Sequence, residues 1–154
     1  MTEDSPTSND SAGRPELQEL YEAGGFVAQL GARIEAITDG FARVRLPYQE
    51  LNTTARQALH GGAIAALLDL TGTVAAMSTA DPSTNSLTAM TMSCHVSFLA
   101  GAIGEDIFGE GRVLRRGKEI VYSDVFVVNG EGKQLAQGSH VCRVFDPKIG
   151  GTRQ

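Results

Sequence analysis

The stretch from Leu59 to Met77, LHGGAIAALLDLTGTVAAM, constrains the chain more than any other. It runs nearly twenty residues without Pro, Lys, Arg or Glu, and its one full charge is Asp69. Its Ala and Leu content favours helix, and the spacing predicts one buried helix. At 100° per residue, with Asp69 at zero, the arc within about 60° holds Gly62, Ala65, Ala66, Gly72, Thr73 and Ala76. Ile64, Leu67, Leu68, Leu70, Val74 and Met77 fall outside it. The bulky arc anchors the helix to its own domain. The small arc leaves room for a second backbone or a ligand to come close to the carboxylate.

A charge on an apolar helix needs a partner or a function. Asp69 is therefore either a structural carboxylate, hydrogen-bonded to a neighbouring loop or subunit, or a reactive one. The helix opens on His60-Gly61-Gly62, where the first-turn amides lack intrahelical acceptors and can hold an anion or a developing oxyanion. Gly62 and Asp69 share a face but lie about 10 Å apart along the axis at 1.5 Å per residue. If both serve one reacting carbonyl, a two-fold dimer has to bring the Asp of one helix beside the amide of the other.

With 154 residues, 42% of them hydrophobic and 20% charged, the chain has the size and balance of one globular domain. The net charge of -5 argues against a broad nucleic-acid footprint. The longest apolar stretch is interrupted by His60, Asp69 and glycines, so no membrane association is expected. The start of the chain lacks the basic-then-apolar pattern of a secretion signal, and a cytoplasmic location is expected. Cys94 and Cys142 have no metal-ligand spacing and read as small core residues.

Met1 to Arg14 has almost no apolar content and reads as a disordered tail. One domain is expected over 15–146, with a C-terminal tail over 147–154. Pro15 opens a short amphipathic helix that Ala23-Gly24-Gly25 ends. From Phe26 to Tyr48 the pattern predicts two short strands around the turn Asp39-Gly40. A polar loop, Gln49 to Ala58, leads to the central helix. Met90, Met92, Cys94, Val96 and Phe98 then alternate with Thr91, Ser93, His95 and Ser97, which predicts a strand with its apolar side on the helix. Three further strands follow at hairpin spacing, over Ile107–Leu114, Glu119–Val128 and Lys133–Phe145, the first pair joined by the basic turn Arg115-Arg116-Gly117-Lys118. One helix across a five- or six-stranded, mostly antiparallel sheet is an α+β domain.

The order of elements over about residues 26 to 146 resembles the hotdog-fold acyl-CoA thioesterases of the 4-hydroxybenzoyl-CoA thioesterase superfamily, in particular the phenylacetate-degradation-type subgroup. The resemblance rests on His60-Gly61-Gly62 with Asp69 nine residues after the His, on the strand ending Ser97-Phe98-Leu99, and on the Arg-Arg-Gly-Lys turn. It implies that Gly61, with His60 at the same helix start, polarises a thioester carbonyl. It further implies that Asp69 reaches across a dimer interface as nucleophile or general base, and that Thr91 orients the attacking water or carboxylate. By the same resemblance Arg115, Arg116 and Lys118 meet the nucleotide and phosphates of coenzyme A. The chain departs from its relatives before the His, where they commonly carry Asn six positions earlier and Gly three positions earlier. Here Thr54 and Gln57 stand there, with Asn52 close but out of register. Asn52 or Thr54 is then the substrate-facing polar group of the loop, and His95, atypical for its strand, is either a satisfied polar residue or a pocket residue that tunes acyl choice.

These readings together give thioester hydrolysis at a site made of Gly61, Gly62 and the partner's Asp69. No metal and no cofactor is expected beyond the coenzyme A of the substrate, and the state is a homo-oligomer, a dimer or a dimer of dimers. Two alternatives stay open: an acyl-CoA-binding hotdog protein without catalysis, and an enoyl-thioester hydratase or dehydratase in which a His pairs with the helix carboxylate.

Overall fold

Pro15 starts α1, Pro15–Glu22, and α2, Gly25–Leu30, follows after a break at Ala23 and Gly24. The structure, a computed structural model, describes residues 13–84 and 87–148. The expected tails over 1–12 and 149–154 lie outside the described residues. Gly13 and Arg14, which composition assigns to the first tail, are tied to the domain: Gly13 N–H donates to Ile37 O at 3.2 Å, and the Arg14 guanidinium donates to Ser78 O and Ala80 O.

The strand expected from Phe26 is a correction. Phe26 to Leu30 form α2, which Gly31 ends at φ +79. GFVAQL has no polar/apolar alternation, and a left-handed glycine cap suits a short helix. The hairpin that follows is as expected, with β1, Arg33–Thr38, and β2, Phe41–Leu46, around Asp39-Gly40. Two short 3-10 turns, Glu50–Asn52 and Ala55–Gln57, shape the loop before α3, Gly61–Ser78. Then come β3, Thr88–Phe98, β4, Ile107–Arg116, β5, Ile120–Asn129, and β6, Gln134–Phe145.

The six strands form one sheet in the order β1-β2-β4-β5-β6-β3, with every neighbouring pair antiparallel. The helix α3 crosses one face and touches all six strands. β5 shows why the sheet has two unlike faces: Val121, Val125 and Val127 are buried, whereas Tyr122 and Phe126 are exposed. Leu67, Leu68 and Val74 of α3 complete this core. By length and composition α3 would also suit a bilayer, but 72% of it is buried within the domain, so its apolarity serves the core.

Two expectations change in detail. The small arc of α3 is closed in its second half: Gly72, Thr73 and Ala76 are buried, whereas Gly62 is exposed and Ala65 and Ala66 are half-buried. Only the first half is open to a partner or ligand. The alternation of β3 is also broken, because the register with β6 shifts between Thr91 and Ser93, leaving Met92 as a bulge. Thr91 pairs with the buried Cys142, and Cys94 pairs with the buried His140. Thr91, Cys94 and Val96 therefore face α3, whereas Ser93, His95 and Ser97 face outward with Val141, Ser139 and Gln137. The methionines do not line the helix side; Met90 and Met92 are exposed, and so is Cys94, which corrects its reading as a core residue.

Candidate functional site

The start of α3 is held by its own cap. His60 stands before the first turn with φ -66 and ψ 134, and its Nδ1 accepts the Gly62 N–H at 2.8 Å. Its backbone N–H donates to Asn52 O at 2.8 Å. The Gly62 amide is thus engaged within the helix cap. Among the described residues the Gly61 N–H has no acceptor, and it sits exposed at the positive end of an 18-residue helix. It is the donor left free for an oxygen that gains negative charge.

Eight residues on, Asp69 is wedged between α3, β3 and β6. Thr91 Oγ1 donates to Asp69 Oδ1 at 2.7 Å, and His140 Nε2 lies 3.1 Å from the same oxygen. Thr73 Oγ1 and Thr91 Oγ1 lie 3.4 and 3.3 Å from His140 Nε2. The His140 hydrogen bond, aided by that of Thr91, holds the Asp69 carboxyl below the usual carboxylate range against the opposing pull of burial. The Asp69 side chain keeps 46% of its surface exposed, while His140 shows none. Asp69 is therefore an ionised carboxylate with a fixed back and an open front.

The space beside that front is a cavity of about 290 Å³ lined by Tyr21, Phe26, Ala66, Leu70 and Ala89, with Asp69 and Thr91 at its edge. Burial pushes the Tyr21 phenol well up, so it stays protonated. Burial also raises the Cys142 thiol to about 11, which keeps it an inert neighbour.

The loop before α3 places the other candidates differently. Asn52 is buried, and its side-chain Nδ2 donates to Leu30 O at 2.9 Å. One N–H of that amide is thus held at the end of α2. Thr54 is exposed, with its N–H bonded to Ala58 O. Arg56 and Gln57 both take positive φ, +58 and +59. At Gln57 that left-handed backbone is one a Gly would adopt without strain.

His95 does not join Asp69. It faces the opposite side of the sheet, in a cavity of about 280 Å³ with Ser97, Asp124, Phe126, Gln137 and Ser139. The basic turn lies at the far end of α3: Arg116 donates to the Thr79 hydroxyl at 2.6 Å. Arg115 and Lys118 line a cavity of about 730 Å³ with Tyr122. The length of α3 puts this turn about 27 Å from Gly61 at 1.5 Å per residue.

The residue that reading the sequence missed is His140. Its signal was present in parity: Ala136, Cys142 and Val144 of β6 are buried on the helix side, and His140 falls in the same row. Gly72 gives it room, since a Cβ there would lie 2.5 Å from the His140 Cγ. Among the described residues no cluster of His, Cys, Asp or Glu has the make-up of a metal site.

Residues 57–136 match the family model described as the thioesterase superfamily. A putative esterase of Halobacterium salinarum is 30% identical over 138 residues, covering 84% of this chain and 90% of that protein. Escherichia coli acyl-coenzyme A thioesterase PaaI is 28% identical over 134 residues, covering 86% and 89%. Among solved structures, a thioesterase of Haemophilus influenzae superposes with a TM-score of 0.77 at 17% identity, over 86% of this chain and 90% of that one. The sheet order and the single long helix are those of the hotdog fold.

Proposed function

The chain belongs to the thioesterase superfamily, and from that premise we propose that it hydrolyses acyl-coenzyme A to the free acid and coenzyme A as a homodimer or a dimer of dimers. The observation that carries the reading is the pairing of one unengaged helix-start amide, Gly61, with one fixed and open carboxylate, Asp69.

The edge of the sheet supports a shared site. β3 is an edge strand, paired on one side with β6 and unpaired on the other. Gly61 sits against the Phe98 ring at one end of β3, and Asp69 is bonded to Thr91 seven residues away along it. Any two-fold pairing of this edge runs β3 antiparallel to its copy. The Phe98 end of one strand then meets the Thr91 end of the other, and Gly61 of one subunit approaches Asp69 of its twin.

In such a site the thioester oxygen takes the Gly61 N–H as charge develops on it; one donor of this kind contributes roughly 3 kcal/mol to lowering a barrier. Asp69 either attacks the carbonyl carbon, giving a mixed anhydride that water then cleaves to the acid, or takes a proton from the water that attacks directly. The C–S bond breaks and the sulfur leaves as thiolate. The acyl tail lies in the cavity lined by Tyr21, Phe26 and Ala66. Arg115 and Lys118, with Tyr122 beside them, receive the phosphates and the adenine of coenzyme A. No step calls for a metal or a further cofactor, and a cytoplasmic location suits such a substrate.

Hydratase chemistry needs a His free to exchange protons next to the carboxylate. His60 is engaged at the helix cap, His95 faces the other side of the sheet, and His140 is enclosed. This favours hydrolysis. The deciding experiment follows thiol release from a panel of acyl-CoA esters by wild type, Asp69→Asn and Asp69→Ala. Equal rates in all three overturn the assignment, and tight calorimetric binding without turnover in wild type would leave a binding protein.

A further inference from the structure

His140 is polar, fully enclosed and only half satisfied. Its side chain has no solvent exposure, and its Nδ1 has no hydrogen-bond partner among the described residues. A buried polar group so placed costs stability, and α3 gives up a side chain at Gly72 to admit it. An apolar residue would fill the same space at lower cost. What the imidazole supplies is a donor, because Nε2 faces a carboxylate oxygen at 3.1 Å and must carry hydrogen there.

Both donors fall on the same atom. The Thr91 hydroxyl and His140 Nε2 converge on Asp69 Oδ1, and Oδ2 has no partner among the described residues. We propose that His140 is a positioning residue of the thioesterase site: with Thr91 it pins Oδ1, fixes the carboxylate plane and leaves Oδ2 as the oxygen presented to substrate. The inference rests on the hydrolase reading for its consequence, but its geometry is a property of the resting protein.

The surroundings of the pair are otherwise uncharged. Thr73 faces it from α3, Thr91 and Cys94 from β3, Cys142 from β6 and Tyr21 from α1. No second carboxylate and no Lys or Arg is among these neighbours. His140 and Thr91 are thus the groups that set the protonation of Asp69. The histidine exchanges no proton with substrate in this scheme, since no path from its ring to solvent is open.

The test reads the Asp69 carboxyl directly, by carbon-detected NMR titration, alongside the pH dependence of kcat/KM for an acyl-CoA. In wild type the carboxyl titrates below the ordinary value of 3.8. His140→Leu, which removes one donor, is expected to raise that midpoint by about one pH unit, which is about a tenfold loss of the ionised form well below the midpoint. kcat falls while KM stays within about twofold, as expected for a group that orders the reacting atom without binding substrate. His140→Gln, which keeps a donor at similar reach, returns the midpoint toward that of wild type. Gly72→Ala leaves the histidine in the chain but drives a methyl into its ring, and is expected to act like His140→Leu.

A folded His140→Leu protein with an unmoved Asp69 midpoint would overturn the proposal, as would a His140→Gln protein that titrates like His140→Leu. Should His140→Leu fail to fold, Thr91→Val removes the companion donor and is expected to raise the midpoint in the same direction. An unmoved midpoint in Thr91→Val, or a raised one in His140→Gln, overturns the proposal. If no acyl-CoA is cleaved by any form, the hydrolase reading fails, while the carboxyl titration still decides the role of His140.

Discussion

The two edges of the sheet are built by opposite rules. β1 is six residues long, carries Arg33 and Glu35 on its exposed side, and has a register break between Ile34 and Ala36. Glu35 is further engaged by Arg43 of the next strand, which also pairs with Glu110. Short length, charge and irregularity are the devices that keep an edge from pairing with another chain. β3 is eleven residues long, has no Lys, Arg, Asp, Glu or Pro, and exposes Met92 at 60% and Phe98 at 55%. A bare strand of this length stays soluble when another strand covers it. The difference accords with the proposed homodimer, in which one edge ends the domain and the other is continued by its copy.

The largest effect that bears on this comparison comes from Gly61→Pro. Proline is well tolerated at the first helical position, and His60 already holds the extended backbone that precedes it. The change removes the one unengaged amide and is expected to cost about 10²–10³ in kcat, with circular dichroism unaltered. Mixing Gly61→Pro with Asp69→Asn subunits sharpens the point. If sites form across β3, exchange restores about a quarter of wild-type activity, because half the dimers are mixed and each has one intact site. No recovery would place both residues in one subunit's site and break the argument from the edge.

Charging the edge comes next. Ser93→Lys with Ser97→Lys is expected to shift light scattering toward monomer and to lower activity about tenfold or more, whereas Thr38→Lys on β1 changes neither. Filling the cavity beside Asp69 has a selective effect: Ala66→Phe should lower kcat/KM for the bulkier acyl groups of a panel by about tenfold while sparing acetyl-CoA. A smaller effect concerns acid. The Asp69 carboxyl is depressed in the folded state, so its hydrogen bonds favour folding above the unfolded carboxyl's ordinary 3.8, and this is lost as pH falls through the lower folded value. Urea melts of wild type and Thr91→Val should converge as pH drops through that window. Gln57→Gly is expected to have the least effect, a gain of about 1 kcal/mol in stability from relief of a left-handed backbone, read as a modest rise in Tm.

The long helix, its opening glycines, the lone carboxylate and the hairpin at Asp39-Gly40 were legible because each is a local signal of composition or spacing. The partner Thr91 was found through likeness to a family, and the structure brings its hydroxyl to Asp69. His140 was not found, because its strand alternates like any half-buried strand and only the three-dimensional neighbour, Gly72, marks the position as special. The helix α2 was hidden in a run of six residues too short to show a period. Asn52 looked like a site residue from its distance to His60, yet the 3-10 turn it sits in directs its amide to Leu30.

The bulge at Met92 decides what β3 lays against α3. A strand with strict alternation presents either hydroxyls or hydrocarbons to whatever lies beneath it, for its whole length. One inserted residue lets β3 change chemistry midway: a hydroxyl beside the carboxylate, then Cys94 and Val96 on the same face. Were the bulge to straighten, so that Met92 itself stood opposite Cys142, everything ahead of it would turn over and the Met92 side chain would take the place of the Thr91 oxygen. A one-residue slip of this strand would then disarm Asp69 without touching it.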